Sequence, residues 1–186
     1  MFARTERLLL RPGWKEDAPA LFQAICDERI VCNLANAPWP YSFADAEAFL
    51  EREPNGPLDA RWLITLRTEA APRLIGCIGF GRTPTDGHEF GYWIARPFWG
   101  QGFATEAGRA VIDIARRGLR LRRLNAGHFI DNPASGRVLK KLGFRPTGTA
   151  LRYSKGRSAE TPCRLFELDL QAGEDIIADP ARAMAA

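Results

Sequence analysis

The segment Arg96–Gly118, RPFWGQGFATEAGRAVIDIARRG, places two glycines, Gly100 and Gly102, directly ahead of a helical pattern. Ala107, Val111 and Ile114 recur behind them at the spacing of one helix face. Such a turn either needs backbone angles that glycine takes readily, or it lets another group approach the main chain closely. A helix N-terminus exposes unpaired N–H groups and a partial positive charge, and the two together attract phosphate. The N–H groups of Gln101 to Thr105 are therefore candidate donors to a diphosphate.

Phosphate-binding patterns can be told apart at this turn. A P-loop requires Gly-Lys-Ser/Thr after four free positions, and the chain has no such string. A dinucleotide fingerprint requires a third glycine, where Thr105 stands, and an acidic residue about 20 residues on. Asp131 lies about thirty residues on. A coenzyme A diphosphate remains, beside a plain glycine turn that holds no ligand.

The flanking sequence predicts a sheet with helices. "TERLLLRP" (5–12) reads as a first strand stopped by Pro12. Asp17, Pro19, Leu21, Phe22 and Ile25 suggest a capped helix, and Ser42 with Asp45 a capping box that opens a second. Trp62–Leu66 and Leu74–Phe80 read as a hairpin, TPTDG (83–87) as a turn, and His88–Ile94 as a third strand. After the glycine segment come a strand near Leu124–Ile130, a helix Pro133–Leu142 ended by Gly143, and strands around Phe144–Leu151 and Cys163–Leu170. The expected fold is one α/β (α+β) domain over residues 1–170. Its mixed, partly antiparallel sheet has about seven strands flanked by about four helices. Residues 171–186 have few apolar anchors and are expected to fray.

Composition excludes several classes. No apolar run approaches the ~18 residues of a membrane span, and no signal-peptide pattern opens the chain, so neither membrane nor export is expected. Four cysteines (Cys26, Cys32, Cys77, Cys163) form no C-x-x-C pair and there are only two histidines, so reduced thiols, no metal centre and a cytoplasmic location are expected. The net charge is +4, and Arg116, Arg117, Arg120, Arg122 and Arg123 form the one basic run. Cations in a last helical turn before Gly118 suit the helix dipole, so this run reads as a solvated face and a nucleic-acid partner is not expected.

Trp99-Gly100-Gln101-Gly102-Phe103-Ala104 resembles the acetyl-CoA signature of the GNAT superfamily of N-acetyltransferases, Gln/Arg-x-x-Gly-x-Gly/Ala, with Trp99 at the Gln/Arg position. "FWGQGFATEA" and "DNPASGRVLKKLGF" are similar to the ribosomal-protein-alanine acetyltransferase branch, and "RLLLRP" and "GYWI" match it too. The resemblance spans roughly residues 5–170. It implies a sheet splayed after Tyr92-Trp93-Ile94, with the backbone of Trp93 and Ile94 facing the pantetheine arm. It also implies Gly100, Gln101, Gly102, Phe103, Ala104 and Thr105 around the diphosphate.

The resemblance places Asn132 at the pantetheine, although Asn132 equally suits an N-cap before Pro133. It places Arg137 and Lys140 near the 3′-phosphate, or else at solvated helix positions. A catalytic base falls on Glu89, which otherwise is a solvent-facing strand residue; His88 beside it points the opposite way. Leu139 stands where many members carry a Tyr acid, and the branch's substitute falls on Ser135, which could also be a routine cap. Trp39 and Tyr41, in a Pro-bounded loop, line the acceptor side or pack on the sheet.

The implied activity is transfer of an acetyl group from acetyl-CoA to a primary amine, directly within a ternary complex, since no nucleophilic cysteine sits near these motifs, Cys77 being on an inner strand and Cys163 far downstream. A non-catalytic acyl-CoA-binding or sensory module is the alternative, with Leu139 in its favour. The expected assembly is a monomer or a homodimer.

Overall fold

A computed structural model describes residues 1–54, 56, 58–68, 71–83 and 87–171. Alternating burial of Leu8 and Leu10 makes β2 (Leu8–Arg11), and a two-residue β1 (Ala3–Arg4) pairs beside it. The three-stranded meander follows as β3 (Ala60–Leu66), β4 (Arg73–Arg82) and β5 (His88–Ile94). The second half supplies β6 (Arg123–Phe129), β7 (Arg145–Ser154) and β8 (Ala159–Asp169).

These form one sheet in the order β1-β2-β3-β4-β5-β6-β8-β7. Neighbours are antiparallel except β5 and β6, which run parallel. The parallel join is short, with Glu89 opposite Asn125 and Phe90 opposite Ala126. Beyond Phe90 the strands part, which opens the sheet midway.

Helices cover both faces of the sheet. On one lie α4 (Phe103–Asp113) and α5 (Pro133–Lys141), whose Phe103, Ala107, Val111 and Leu139 share a core with Leu8, Ile64, Phe90, Leu124 and Phe166. On the other lie α1 (Ala18–Ile25), α2 (Glu28–Val31) and α3 (Phe43–Glu51), which pack Leu21, Ile25, Val31 and Ala46 on Leu63, Cys77 and Trp93. Each fully buried Leu or Ile side chain contributes about 1.5–3 kcal/mol over exposure.

The described residues hold eight strands and five helices, against about seven and about four expected. The additions are β1 and the single turn of α2, both too short to show a period. Ser42 and Asp45 do form a capping box, with Asp45 N–H on Ser42 Oγ at 3.2 Å and Ser42 N–H on Asp45 Oδ2 at 2.8 Å.

Asp17 does not cap α1 through its side chain. Its carboxylate takes two bonds from Arg11, at 2.6 and 2.7 Å, and one from Trp14 N–H at 2.8 Å. The helical run after α4 does end at Gly118, though Gly118 is not among the residues with a left-handed angle. The chain widens into a π turn, Ile114–Gly118, and Arg120 takes the left-handed angle (φ 53°). Residues 69, 70 and 84–86, in the two expected links, and 172–186 of the expected tail lie outside the described residues. Among the described residues no helix is long and apolar enough to cross a membrane, and no group of three or more His, Cys, Asp or Glu side chains could hold a metal.

Candidate active site

The split between β5 and β6 leaves main-chain groups facing an open gap. Ala95 N–H donates to Ile75 carbonyl at 2.7 Å, which fixes the phase of the β4–β5 ladder. Odd-numbered residues of β5 therefore bond to β4, and Tyr92 and Ile94 turn their N–H and C=O toward the gap. The Ile94 carbonyl is taken by Trp99 Nε1 at 2.6 Å, so Ile94 N–H and both groups of Tyr92 face the opening. Trp99, the departure from the family signature, thus ties the glycine turn to the end of β5.

Gly100 has φ 74° and Gly102, the residue before α4, has φ 83°. Both need the left-handed region that β-carbon sterics disfavour. A Cβ on Gly100 would meet nothing within 4 Å, and one on Gly102 only Arg7 Nη2 at 3.6 Å. The turn is thus bare on its outer side. The helical ladder begins with Glu106 N–H on Gly102 carbonyl at 3.0 Å, so the N–H groups of Phe103, Ala104 and Thr105 precede it. The Phe103 ring itself is buried in the core, which leaves only its main chain to the turn.

Arg7 braces this turn, a role the sequence did not reveal. Its guanidinium donates to Gln101 carbonyl at 3.1 Å and to Glu106 Oε2 at 2.7 Å, and it lies 4.3 Å over the Phe103 ring. Thr5 Oγ1 and Arg7 N–H hold Glu106 Oε1 at 2.6 and 2.9 Å. Burial would raise the Glu106 carboxyl, but these donors outweigh it and hold it below the usual range.

Across the gap, α5 opens with Pro133, and Asn132 Oδ1 accepts from Ser135 N–H at 3.3 Å. The cap reading of Asn132 is thereby satisfied at the edge of the gap. The Ser135 hydroxyl accepts from the Tyr92 hydroxyl at 3.0 Å. Leu139 is 1% exposed, so the position where a family Tyr was expected faces the core. Arg137 and Lys140 are exposed on the outer side of α5.

Glu89 leaves β5 on the opposite face from Tyr92. It pairs with Arg152, which reaches in from β7. A Cβ on Gly127 would come within 2.9 Å of Cys163 Sγ and 3.5 Å of Arg152 Nη1, so the glycine leaves room for that crossing. Cys163, far away in sequence, thus stands beside the candidate base after all. Burial raises its thiol, with Arg152 opposing and Glu89 adding, and it is 3% exposed. A protonated, enclosed thiol is a poor nucleophile. His88 lies on the other face, edge-on to Phe80 at 6.3 Å.

Trp93 packs its ring in the core beneath α1–α3. Tyr41 is buried in the same cluster, where burial, Asp45 and Cys77 push its phenol up to about 12, and Trp39 packs partly buried against it. The loop carrying them is held to the β7–β8 turn. Lys155 N–H bonds Ala35 carbonyl at 3.0 Å, Ser154 Oγ bonds Leu34 carbonyl at 3.1 Å, and Arg157 Nε bonds Cys32 carbonyl at 2.6 Å. Arg157 also pairs with Asp131 at 2.6 Å, next to Asn132.

The fold brings together the open edge of β5, the glycine turn tied to Ile94 by Trp99, and Ser135, bonded to Tyr92 and capped by Asn132, while Glu89 lies with Arg152 on the other face of β5. Arg7 stands at the glycine turn and Arg152 at Glu89. Period-two alternation with Phe90 and Ile94 could have placed the Tyr92 ring; no local signal marks the reach of Arg7 or Arg152.

Residues 7–145 match the family model described as an acetyltransferase (GNAT) domain. The chain is 33% identical over 156 residues to the uncharacterized N-acetyltransferase YoaA of Bacillus subtilis (strain 168), covering 80% of this chain and 85% of YoaA. A GNAT-family acetyltransferase structure from Bacillus anthracis superposes with TM-score 0.76 at 21% identity, over 92% of this chain and 99% of that one. The structure of RimL, a ribosomal-protein alpha-N-acetyltransferase in complex with coenzyme A, superposes with TM-score 0.75 at 20% identity, over 92% and 99%.

Proposed function

The chain belongs to the GNAT acetyltransferase family and is an N-acetyltransferase, and on that premise we propose that it moves the acetyl group of acetyl-CoA directly to a primary amine in a ternary complex. The observation that carries this reading is the open edge of β5 meeting the bare glycine turn, since both expose main-chain N–H groups to one opening. Gly100, Gly102 and the N–H groups through Thr105 suit a diphosphate. The free groups of Tyr92 and Ile94 suit an amide-bearing arm lying along the strand, and exposed Arg137 suits the 3′-phosphate.

When bound, the thioester supplies an activated acetyl carbon. Ile94 N–H receives the charge that develops on the acetyl oxygen. Glu89 takes a proton through water from the bound ammonium, which frees the nitrogen lone pair for attack, because an amine is mostly protonated at neutral pH. Ser135 gives a proton toward the departing sulfur. Trp39 lines the acceptor side near the loop held by Arg157, while Tyr41 shapes it from within the core. The raised thiol of Cys163 favours direct transfer over an acetyl-enzyme.

The likeness in "FWGQGFATEA" and "DNPASGRVLKKLGF" to the ribosomal-protein-alanine branch supports a protein N-terminus as acceptor, with small amines as the other class. An initial-rate study of thiol release from acetyl-CoA, over a panel of N-terminal peptides, polyamines and amino-acid amines, tests the reading. Intersecting patterns with one acceptor class are expected. Parallel patterns contradict direct transfer, and acetyl-CoA binding without turnover on any amine would instead favour the acyl-CoA-binding module.

A further inference from the structure

We propose that Tyr92 is a positioning residue whose hydroxyl aims the Ser135 proton into the gap, toward the departing sulfur. The inference rests on the reading of Ser135 as the proton donor. A serine hydroxyl has one hydrogen and two acceptor lone pairs. Tyr92 fills one lone pair of Ser135 from 3.0 Å. The hydrogen of Ser135 is then left for another acceptor, and Asn132 fixes the main chain of the same residue from the other side.

Tyr92 is the donor in this bond. Burial pushes its phenol up to about 12, and the bond to Ser135 offsets this in part, so the group stays protonated at neutral pH. Its ring is held beside Phe90, 6.1 Å between centroids, against the core under α4 and α5. Tyr92 also sits just past the last β5–β6 pair, where the strands have parted. Leu139 has no hydroxyl and is buried in the core, so a strand supplies the phenol that the helix lacks.

The acceptor nitrogen bonds to the acetyl carbon, the C–S bond breaks, and the electron pair stays on sulfur. Ser135 passes its proton to that sulfur. The charge left on Ser135 Oγ is met by the Tyr92 O–H, and Ser135 recovers a proton from solvent in the gap. The surplus proton of the amine leaves by Glu89 to water.

Tyr92→Phe keeps the ring and removes the hydroxyl. The test measures thiol release from acetyl-CoA with the fastest amine of the panel, or with water where none is faster, and the Kd for coenzyme A by calorimetry. Tyr92→Phe is expected to lower kcat about tenfold while the Kd for coenzyme A stays within about twofold. Ser135→Ala is expected to lower kcat by about 10²-fold, and the double variant to be no slower than Ser135→Ala alone. Additive losses in the double variant, or a coenzyme A affinity that falls as far as kcat, overturn the inference and leave Tyr92 a packing residue. An impaired Ser135→Ala beside a fully active Tyr92→Phe removes the Tyr92 role only. A fully active Ser135→Ala removes the Ser135 reading and the inference with it.

Discussion

The indole N–H of Trp99 donates to the carbonyl of Ile94 at 2.6 Å, tying the first residue of the glycine turn to the last residue of β5. The bond closes one of the main-chain groups that the parting of β5 and β6 leaves open. It also sets the distance between the glycine turn and the strand edge, which one ligand would have to span.

Trp99→Phe keeps an aromatic ring and deletes this bond. A single hydrogen bond is worth about 0.5–1.5 kcal/mol, so acetyl-CoA affinity should fall roughly two- to twelvefold. Calorimetric titration measures it. An unchanged affinity means that the tie does not position the turn.

The brace of Arg7 on Glu106 gives a pH signature. Glu106 has a depressed folded pKa, so its contribution to stability is present above its ordinary value of 4.5 and is lost as pH falls through the folded value below that. Glu106→Gln should therefore lower Tm at pH 7 by roughly 2–6 °C and converge on the wild type in acid, below about pH 4. Thermal melts from pH 7 to pH 3 test this. A difference that grows in acid contradicts the sign.

Glu89 and Arg152 separate catalysis from structure. Glu89→Gln should lower kcat by about 10²-fold or more, because the proton acceptor is gone. Arg152→Met removes the ion pair and leaves the carboxylate, so kcat should stay within about tenfold. Steady-state kinetics of the two variants decide. Equal losses make Glu89 a structural partner of Arg152.

Cysteine chemistry tests direct transfer. Cys26 is exposed, whereas Cys77 and Cys163 are buried with raised thiols, Cys77 up to about 12. A thiol reagent should modify Cys26 first and reach Cys77 and Cys163 only on unfolding. Intact mass after incubation with acetyl-CoA should show no acetyl adduct, and Cys163→Ala should keep its activity. A stoichiometric adduct on Cys163 contradicts this.

The strands and helices with a clear period were legible in the sequence, from Leu8 and Leu10 to the face of Ala107 and Val111. So was the glycine turn, because φ of 74° and 83° leave a compositional trace. The single turn of α2 and the two residues of β1 left none. Asp17 looked like a cap from its place before Pro19, but Arg11, six residues earlier, competes for the same carboxylate. Cys163 looked remote, and the pairing of β8 with β6 brought it beside Glu89. What escaped was long-range register, which depends on which strands pair rather than on spacing within any one of them.

Titration of the purified protein with acetyl-CoA by calorimetry, with Gly102→Glu alongside and the fold of both checked by circular dichroism, bears most directly on this reading. One-to-one micromolar binding that falls at least about fiftyfold in folded Gly102→Glu is the expected result. No binding by the wild type, or equal binding by both proteins, would mean that the glycines only shape a turn.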